Sequence, residues 1–307
     1  MRPLALTALL VACGAPPPPT SAPPPRETAV LPAPSAVRTS APAPVVATPT
    51  SSALPNALPR LSASEEDGLT PLDTEVSSAA PVDLFELRLG PGGGAFFPHD
   101  REVQMAFVVL EGQVRPDYPD QAAGTLGVWR GAYVPEAGFG LHASGALARV
   151  LLIVKSPHGT SVRISADPGQ KRFARKTPVH PVAFDTQPPL SWGGGAFHGR
   201  IGLDGEGPPP SFALNAIVFG KDAIVQPHAH PGAWECLAIL AGDGELSYAP
   251  PGKLEKIHLA KGQLACVPEG ATHAWTPSGK EPLVALQIYT PPGAEQRWKT
   301  LAAPPSP

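Results

Sequence analysis

Residues 225–244, VQPHAHPGAWECLAILAGDG, decide how this chain folds. The stretch runs through His228-Ala229-His230 and a Pro-Gly turn into the apolar run Cys236 to Leu240, then stops at Gly242-Asp243-Gly244. Runs of this length bounded by Gly, Pro and Asp read as strands. The pattern continues outward. Phe212 to Phe219 precedes it, and Leu246 to Tyr248, Ile257 to Leu259, Leu264 to Val267, Ala274 to Trp275 and Leu283 to Tyr289 follow, with turns at Pro250-Pro251-Gly252, Lys261-Gly262 and Pro277-Ser278-Gly279. Many short strands at this spacing point to an all-β fold, an antiparallel barrel or pair of sheets that hides the edges a flat sheet would expose.

The same stretch carries the chemistry. Residues two apart on a strand face the same side, so His228 and His230 can both point inward, while Glu235 and His273 must arrive from other strands or turns. Neutral imidazoles from His228, His230 and His273 with the Glu235 carboxylate make a donor set suited to one divalent first-row transition metal (Mn, Fe, Ni, Cu or Zn). That set leaves up to two positions of an octahedron open. With 9 His in 307 residues a lone H-x-H is weak, since chance supplies one in roughly a quarter of such chains. Adding Gly262, Pro268, Gly270 and His273 at fixed offsets makes the pattern specific. The plainer alternative is barrel histidines satisfied by hydrogen bonds without a metal.

The first half repeats the order of the second. Leu84 to Leu89, Gly90, Pro98-His99, Met105 to Leu110 and Gly112 parallel Leu214 to Phe219, Gly220, Pro227-His228, Cys236 to Leu240 and Gly242. Val134-Pro135-Glu136 before His142 parallels Val267-Pro268-Glu269 before His273. We read this as an internal duplication, with domains at 82–165 and 200–295, a connector at 166–199 and a C-terminal tail at 296–307.

The spacings His228-x-His230-x4-Glu235-x6-Gly242 and Gly262-x5-Pro268-x-Gly270-x2-His273 resemble the paired motifs of the cupin superfamily. The resemblance spans residues 82–290 as architecture and is close only over about 220–277. It departs where Asp222 stands in place of the opening Gly and where Pro277 replaces the final Asn. It implies two tandem cupin barrels, double-stranded β-helices of jelly-roll type, with the metal on His228, His230, Glu235 and His273 of the second. In the first half, aligning His99 with the first ligand puts Arg101 at the second and Met105 at the carboxylate. That barrel therefore reads as metal-free and structural, or as a dimerisation partner giving a homodimer.

Two classes of function follow from the resemblance. One is a metal-binding protein that holds a small-molecule ligand, a sugar or an organic acid, without turning it over. The other is a metal-dependent bicupin enzyme of dioxygenase or decarboxylase type acting on a small organic acid or aromatic substrate. Glu269, His258 and Tyr289 are acid or base candidates by proximity in sequence alone, so no catalytic residue is assigned. His258, Trp275, Gln287 and Tyr289 stand on predicted strands that can line the barrel. Titratable groups around the metal would favour chemistry, and an apolar lining recognition.

The N-terminal quarter has another composition. Arg2, the apolar stretch Leu4 to Ala12 and Leu10-Val11-Ala12-Cys13 read as a signal peptide whose end resembles the bacterial lipobox, which implies lipidation of Cys13. Gly14 after it points to the outer rather than the inner membrane of the bacterial cell envelope if the cell is Gram-negative. Residues 14–81 are mostly Pro, Ala, Ser and Thr, and read as a disordered tether. All aromatic residues lie from Phe85 onward, so the core is expected to start near Val82. A formal net charge of -3 lacks the basic excess that nucleic acid requires. Cys236 and Cys266 are either a disulfide or two small buried hydrophobes. His158, His180 and His198 read as surface residues of the connector region. Gly92-Gly93-Gly94 and Gly193-Gly194-Gly195 read as turns.

Overall fold

The structure, a computed structural model, describes residues 68–71, 73–74, 80–118, 124–157, 179–204, 210–249 and 255–302. The signal peptide, Cys13, most of the tether, His158 and the basic run from Lys171 to Lys176 lie outside the described residues.

The chain is built of short strands in chain order. They are β1 (Gly68–Pro71), β2 (Asp73–Thr74), β3 (Asp83–Leu89), β4 (Gly94–Asp100), β5 (Gln104–Glu111), β6 (Val114–Asp117), β7 (Arg130–Val134), β8 (Ala137–Ala143), β9 (Ala148–Lys155) and β10 (His180–Ala183). The second half adds β11 (Leu190–Trp192), β12 (Phe197–Leu203), β13 (Ala213–Phe219), β14 (Val225–His228), β15 (Trp234–Ala241), β16 (Asp243–Ala249), β17 (Glu255–Ala260), β18 (Gln263–Val267), β19 (Thr272–Pro277) and β20 (Leu283–Thr290), before helix α1 (Gln296–Ala302). The first jelly-roll barrel pairs the sheet β1-β3-β9-β5-β7-β10 with β4-β8-β6, and the second pairs β11-β12-β13-β20-β15-β18-β2 with β14-β19-β16-β17.

The long central strands are apolar on both faces because both are covered. On β5, Phe107 and Val109 face their own barrel, where they meet Phe97, Phe139 and Leu152. The alternate residues Ala106, Val108 and Leu110 face the other barrel and pack with Leu214, Ala216, Ala238 and Leu286. On β15, Leu237 and Ile239 point into the second barrel, and Cys236, Ala238 and Leu240 point out toward the first. The larger sheets thus lie face to face over a shared core. Cys236 and Cys266 sit opposite each other on β15 and β18 within that core and form a disulfide, which resolves the alternative left open above.

The duplication extends to irregularities. Pairing slips between Val109 and Glu111 on β5 and between Ile239 and Ala241 on β15. Each bulge is followed by a left-handed glycine, Gly112 at φ 70° and Gly242 at φ 71°. A side chain on Gly242 would meet the Pro282 carbonyl oxygen at 2.6 Å, so glycine is needed for both the dihedral and the space.

Three boundaries differ from the sequence reading. β1 and β2 lie before Val82, in the stretch assigned to the tether; β1 pairs with β3, and β2 pairs in parallel with β18 of the second barrel. β10, β11 and the start of β12 fall inside the assigned connector, with β10 on the edge of the first barrel. The assigned tail contains α1, whose Trp298 is buried on Gly199. These pieces are two to seven residues long with little apolar pattern, and long-range edge pairing or packing holds them. Gly92 lies in the turn before β4, which already begins at Gly94, and Gly193–Gly195 form a short 3-10 helix where an open turn was expected.

Candidate metal centre

The fold gathers His228, His230, Glu235 and His273 at one end of the second barrel, with their ligand atoms all within 4.8 Å of one another. His228 ends β14 directly across from His273 of β19. Glu235 stands on β15 in the opposite sheet, across from Tyr289 of β20. The strand stops at His228, so His230 enters from the turn that follows. Its carbonyl accepts from Ala233 N at 3.3 Å and Gly270 N at 3.0 Å, which ties the turn to the loop that presents His273. Gly270, at φ 70°, makes that loop possible.

Hydrogen bonds fix the rings. His228 Nδ1 donates to the Gln226 carbonyl and His273 Nδ1 to the Ala271 carbonyl, each at 2.9 Å. A carbonyl only accepts, so Nδ1 carries a proton in both rings, and Nε2 is the atom each ring turns toward the centre. Glu235 Oε2 lies 2.8 Å from both His273 Nε2 and His230 Nε2. His230 Nε2 is buried and, in spite of that approach, has no hydrogen bond of acceptable geometry. Gln287 Nε2 donates to the other carboxylate oxygen, Glu235 Oε1, at 2.6 Å.

Burial acts against every charge here, and the residues answer it differently. For Glu235 burial pushes the pKa up, but the His230 and His273 rings outweigh it and hold the carboxyl well below its usual range. Burial, then the charge of His273, pushes His228 down to about 4. Burial also lowers His273, but its bond to Glu235 leaves it above the ordinary imidazole value. Tyr289 is raised well above 10, first by burial and then by the Glu235 charge, and so stays a phenol. A buried carboxylate facing ring nitrogens, one of them without a hydrogen bond of acceptable geometry, is an arrangement that a divalent cation would complete.

The fold brings together the four candidate ligands that the sequence singled out, and Trp275, Gln287 and Tyr289 line the barrel as expected. His258 does not line it: this exposed side chain lies 3.7 Å from Asp243 Oδ2 on the outside. Glu269 is likewise exposed, which removes both as acid or base candidates. Sequence reasoning missed Trp192, Arg297 and Trp298, which line a cavity of about 260 Å³ beside His228 and Glu235. Trp298 and Leu301, three apart in a polar C-terminal stretch, were the available signal for a helix face.

In the first barrel Met105 takes the place of Glu235. It faces Val134 of β7 and Val154 of β9, as Glu235 faces Val267 and Tyr289. Leu152 stands where Gln287 stands in the second barrel, and Phe97, Phe107 and Phe139 fill the interior. His99 Nδ1 donates to the Ala137 carbonyl at 2.9 Å. His142 alternates on β8 with the inward Phe139 and Leu141 and so faces out. Among the described residues the second-barrel group is the one cluster of this kind.

Residues 211–298 match the cupin family. Solved structures similar to about two thirds of the chain include an oxalate decarboxylase. Oxalate decarboxylase from Bacillus subtilis at pH 4.6 has 16% identity and a TM-score of 0.57, over 68% of each chain. A mutant of that enzyme gives 16% and 0.58 over 70% of each chain. A structure of it tied to the study of its Mn(II) centres gives 16% and 0.57, also over 70% of each. At such identities the likeness shows the fold, two tandem cupin barrels. No curated protein matches the chain.

Proposed function

We propose that this is a cell-envelope cupin lipoprotein whose C-terminal barrel binds one divalent first-row metal through His228, His230, Glu235 and His273, and with it a small-molecule ligand. The observation that carries the metal is the convergence of pre-oriented Nε2 atoms on one buried carboxylate, with His230 Nε2 making no hydrogen bond of acceptable geometry. When bound, the metal would act as a Lewis acid toward ligand oxygens at its open positions. The mainly aromatic and aliphatic cavity favours binding over turnover. Its titratable lining groups beyond the ligands are Tyr289, held protonated, and Arg297.

The alternative, a metal-dependent bicupin enzyme of decarboxylase or dioxygenase type, draws on the fold shared with oxalate decarboxylase. Lipid anchoring at Cys13, placing the protein at the outer membrane if the cell is Gram-negative, rests on the lipobox resemblance, and assembly as a homodimer on the degenerate first barrel.

The deciding experiment is elemental analysis of the purified full chain beside His230→Ala. We expect about one Mn, Fe, Ni, Cu or Zn per chain, lost in the variant while circular dichroism is unchanged. No metal in the wild type after reconstitution overturns the reading. Cys13→Ser should move the protein out of the membrane fraction; persistence there overturns the anchor.

A further inference from the structure

The cavity beside the ligand set has a composition that selects among small molecules. Trp192 stacks on Phe197 with centroids 5.6 Å apart and planes 6° apart, and Trp298 of α1 packs on Trp192 at 5.1 Å. Trp275, 3% exposed, adds another wall, and its buried indole N–H has no hydrogen-bond partner. Gln287, which orients Glu235, keeps its own Oε1 buried and unpartnered in the same lining. Ile224 and Leu301 line the cavity while 58% and 43% exposed, large values for side chains of this kind.

One cation is added to this apolar frame. Arg297 lines the cavity and is exposed, and its guanidinium makes no hydrogen bond or ion pair among the described residues. It also lines a second opening together with His230, which places it beside the ligand set. A guanidinium free of protein partners beside aromatic walls matches an anion attached to a flat apolar body, since it can form paired hydrogen bonds to a carboxylate. The volume, about 260 Å³, lies just under the ~300 Å³ at which sites for drug-sized molecules begin. A two-carbon dianion would leave most of the tryptophan wall uncovered.

We propose that this cavity takes an aromatic monocarboxylate of benzoate size, its ring against Trp298 and Trp275 and its carboxylate shared between Arg297 and the metal. The assignment rests on the metal-binding reading for the second of those contacts. Arg297 and Trp298 are then its specificity-determining residues, contributed by a helix outside the barrel motifs.

The test is calorimetry on the Mn(II)-loaded full chain with benzoate, benzyl alcohol and oxalate, with metal content measured on the same samples. Benzoate should bind at least ~10-fold more tightly than either of the others. Arg297→Gln should erase the preference for benzoate over benzyl alcohol. Trp298→Ala should weaken benzoate ~10-fold. Because Trp298 is buried, Leu301→Ser at the exposed mouth serves as a second variant, with a loss of ~3-fold. Oxalate binding as tightly as benzoate, or an Arg297→Gln protein with the preference intact, overturns the assignment. One metal per chain with no benzoate binding overturns this inference alone. Benzoate binding with its preference kept in a chain that takes up no metal overturns the metal reading alone.

Discussion

Replacing Gln287 by leucine puts into the second barrel the residue that the first barrel carries at the same register. Gln287 is buried and donates a 2.6 Å hydrogen bond to Glu235 Oε1. That bond aims the other oxygen at the ring nitrogens. Loss of such an outer partner typically costs ~10- to 100-fold in metal affinity, or about 1.4 to 2.7 kcal/mol. Stability of the metal-free protein should respond differently, because two effects oppose. Removing the donor costs ~1.5–3 kcal/mol as a lost bond to a charged group, but Gln287 Oε1 is itself buried without a partner, and its removal relieves ~1–3 kcal/mol. Gln287→Leu should therefore unfold in urea within about 1 kcal/mol of wild type without metal, while chelator competition shows metal affinity down at least ~10-fold. An affinity within ~3-fold of wild type, with metal bound in both proteins, would refute the claim that Gln287 orients the carboxylate.

Other perturbations test the frame. Glu86 holds the buried Arg149 by two contacts of 2.9 and 2.6 Å, so Glu86→Gln should cost ~3 kcal/mol, read as a fall of roughly 6–12 °C in Tm. Burial raises the Glu86 pKa, but Arg149 and Arg88 lower it further, to below 4.5 overall. Its stabilisation is thus present above that value and lost as pH falls through the folded-state value. The variant's pH–stability curve should lack that acid limb, and an unchanged curve would count against the pair. Reducing the Cys236–Cys266 bond, which spans 30 residues, should lower stability by ~3–4 kcal/mol in the chain-entropy model with metal content unchanged. Gly242→Ala should lose at least ~1–3 kcal/mol from its strained dihedral and from the clash with the Pro282 carbonyl; a Tm equal to wild type would refute the close approach.

The candidate ligand cluster was legible because a metal site would impose fixed offsets, and the fold brings His228, His230, Glu235 and His273 together as those offsets predict. The central strands were legible because β5, β15 and β20 are apolar on both faces. What escaped was set by partners far along the chain. Nothing in Asp73–Thr74 announces a parallel pairing with β18, and nothing in Leu190–Trp192 marks a sheet edge. Arg297 and Trp298 belong to no motif, and only the folding of α1 onto Gly199 carries them to the cavity. The disulfide was undecidable because cysteines facing a shared apolar core look alike in sequence whether bonded or free.

The shared core between the larger sheets bears on how the protein can be taken apart. The segment that matches the cupin family, residues 211–298, marks kinship and not autonomy. Cut out alone, it would present Leu214, Ala216, Ala238, Leu286 and Ile288 to water as one continuous greasy face. Such a fragment should precipitate or stick to itself, and not report the properties of the intact site. The first barrel, with no such cluster of its own among the described residues, covers that face, so any redesign of the site must carry it along.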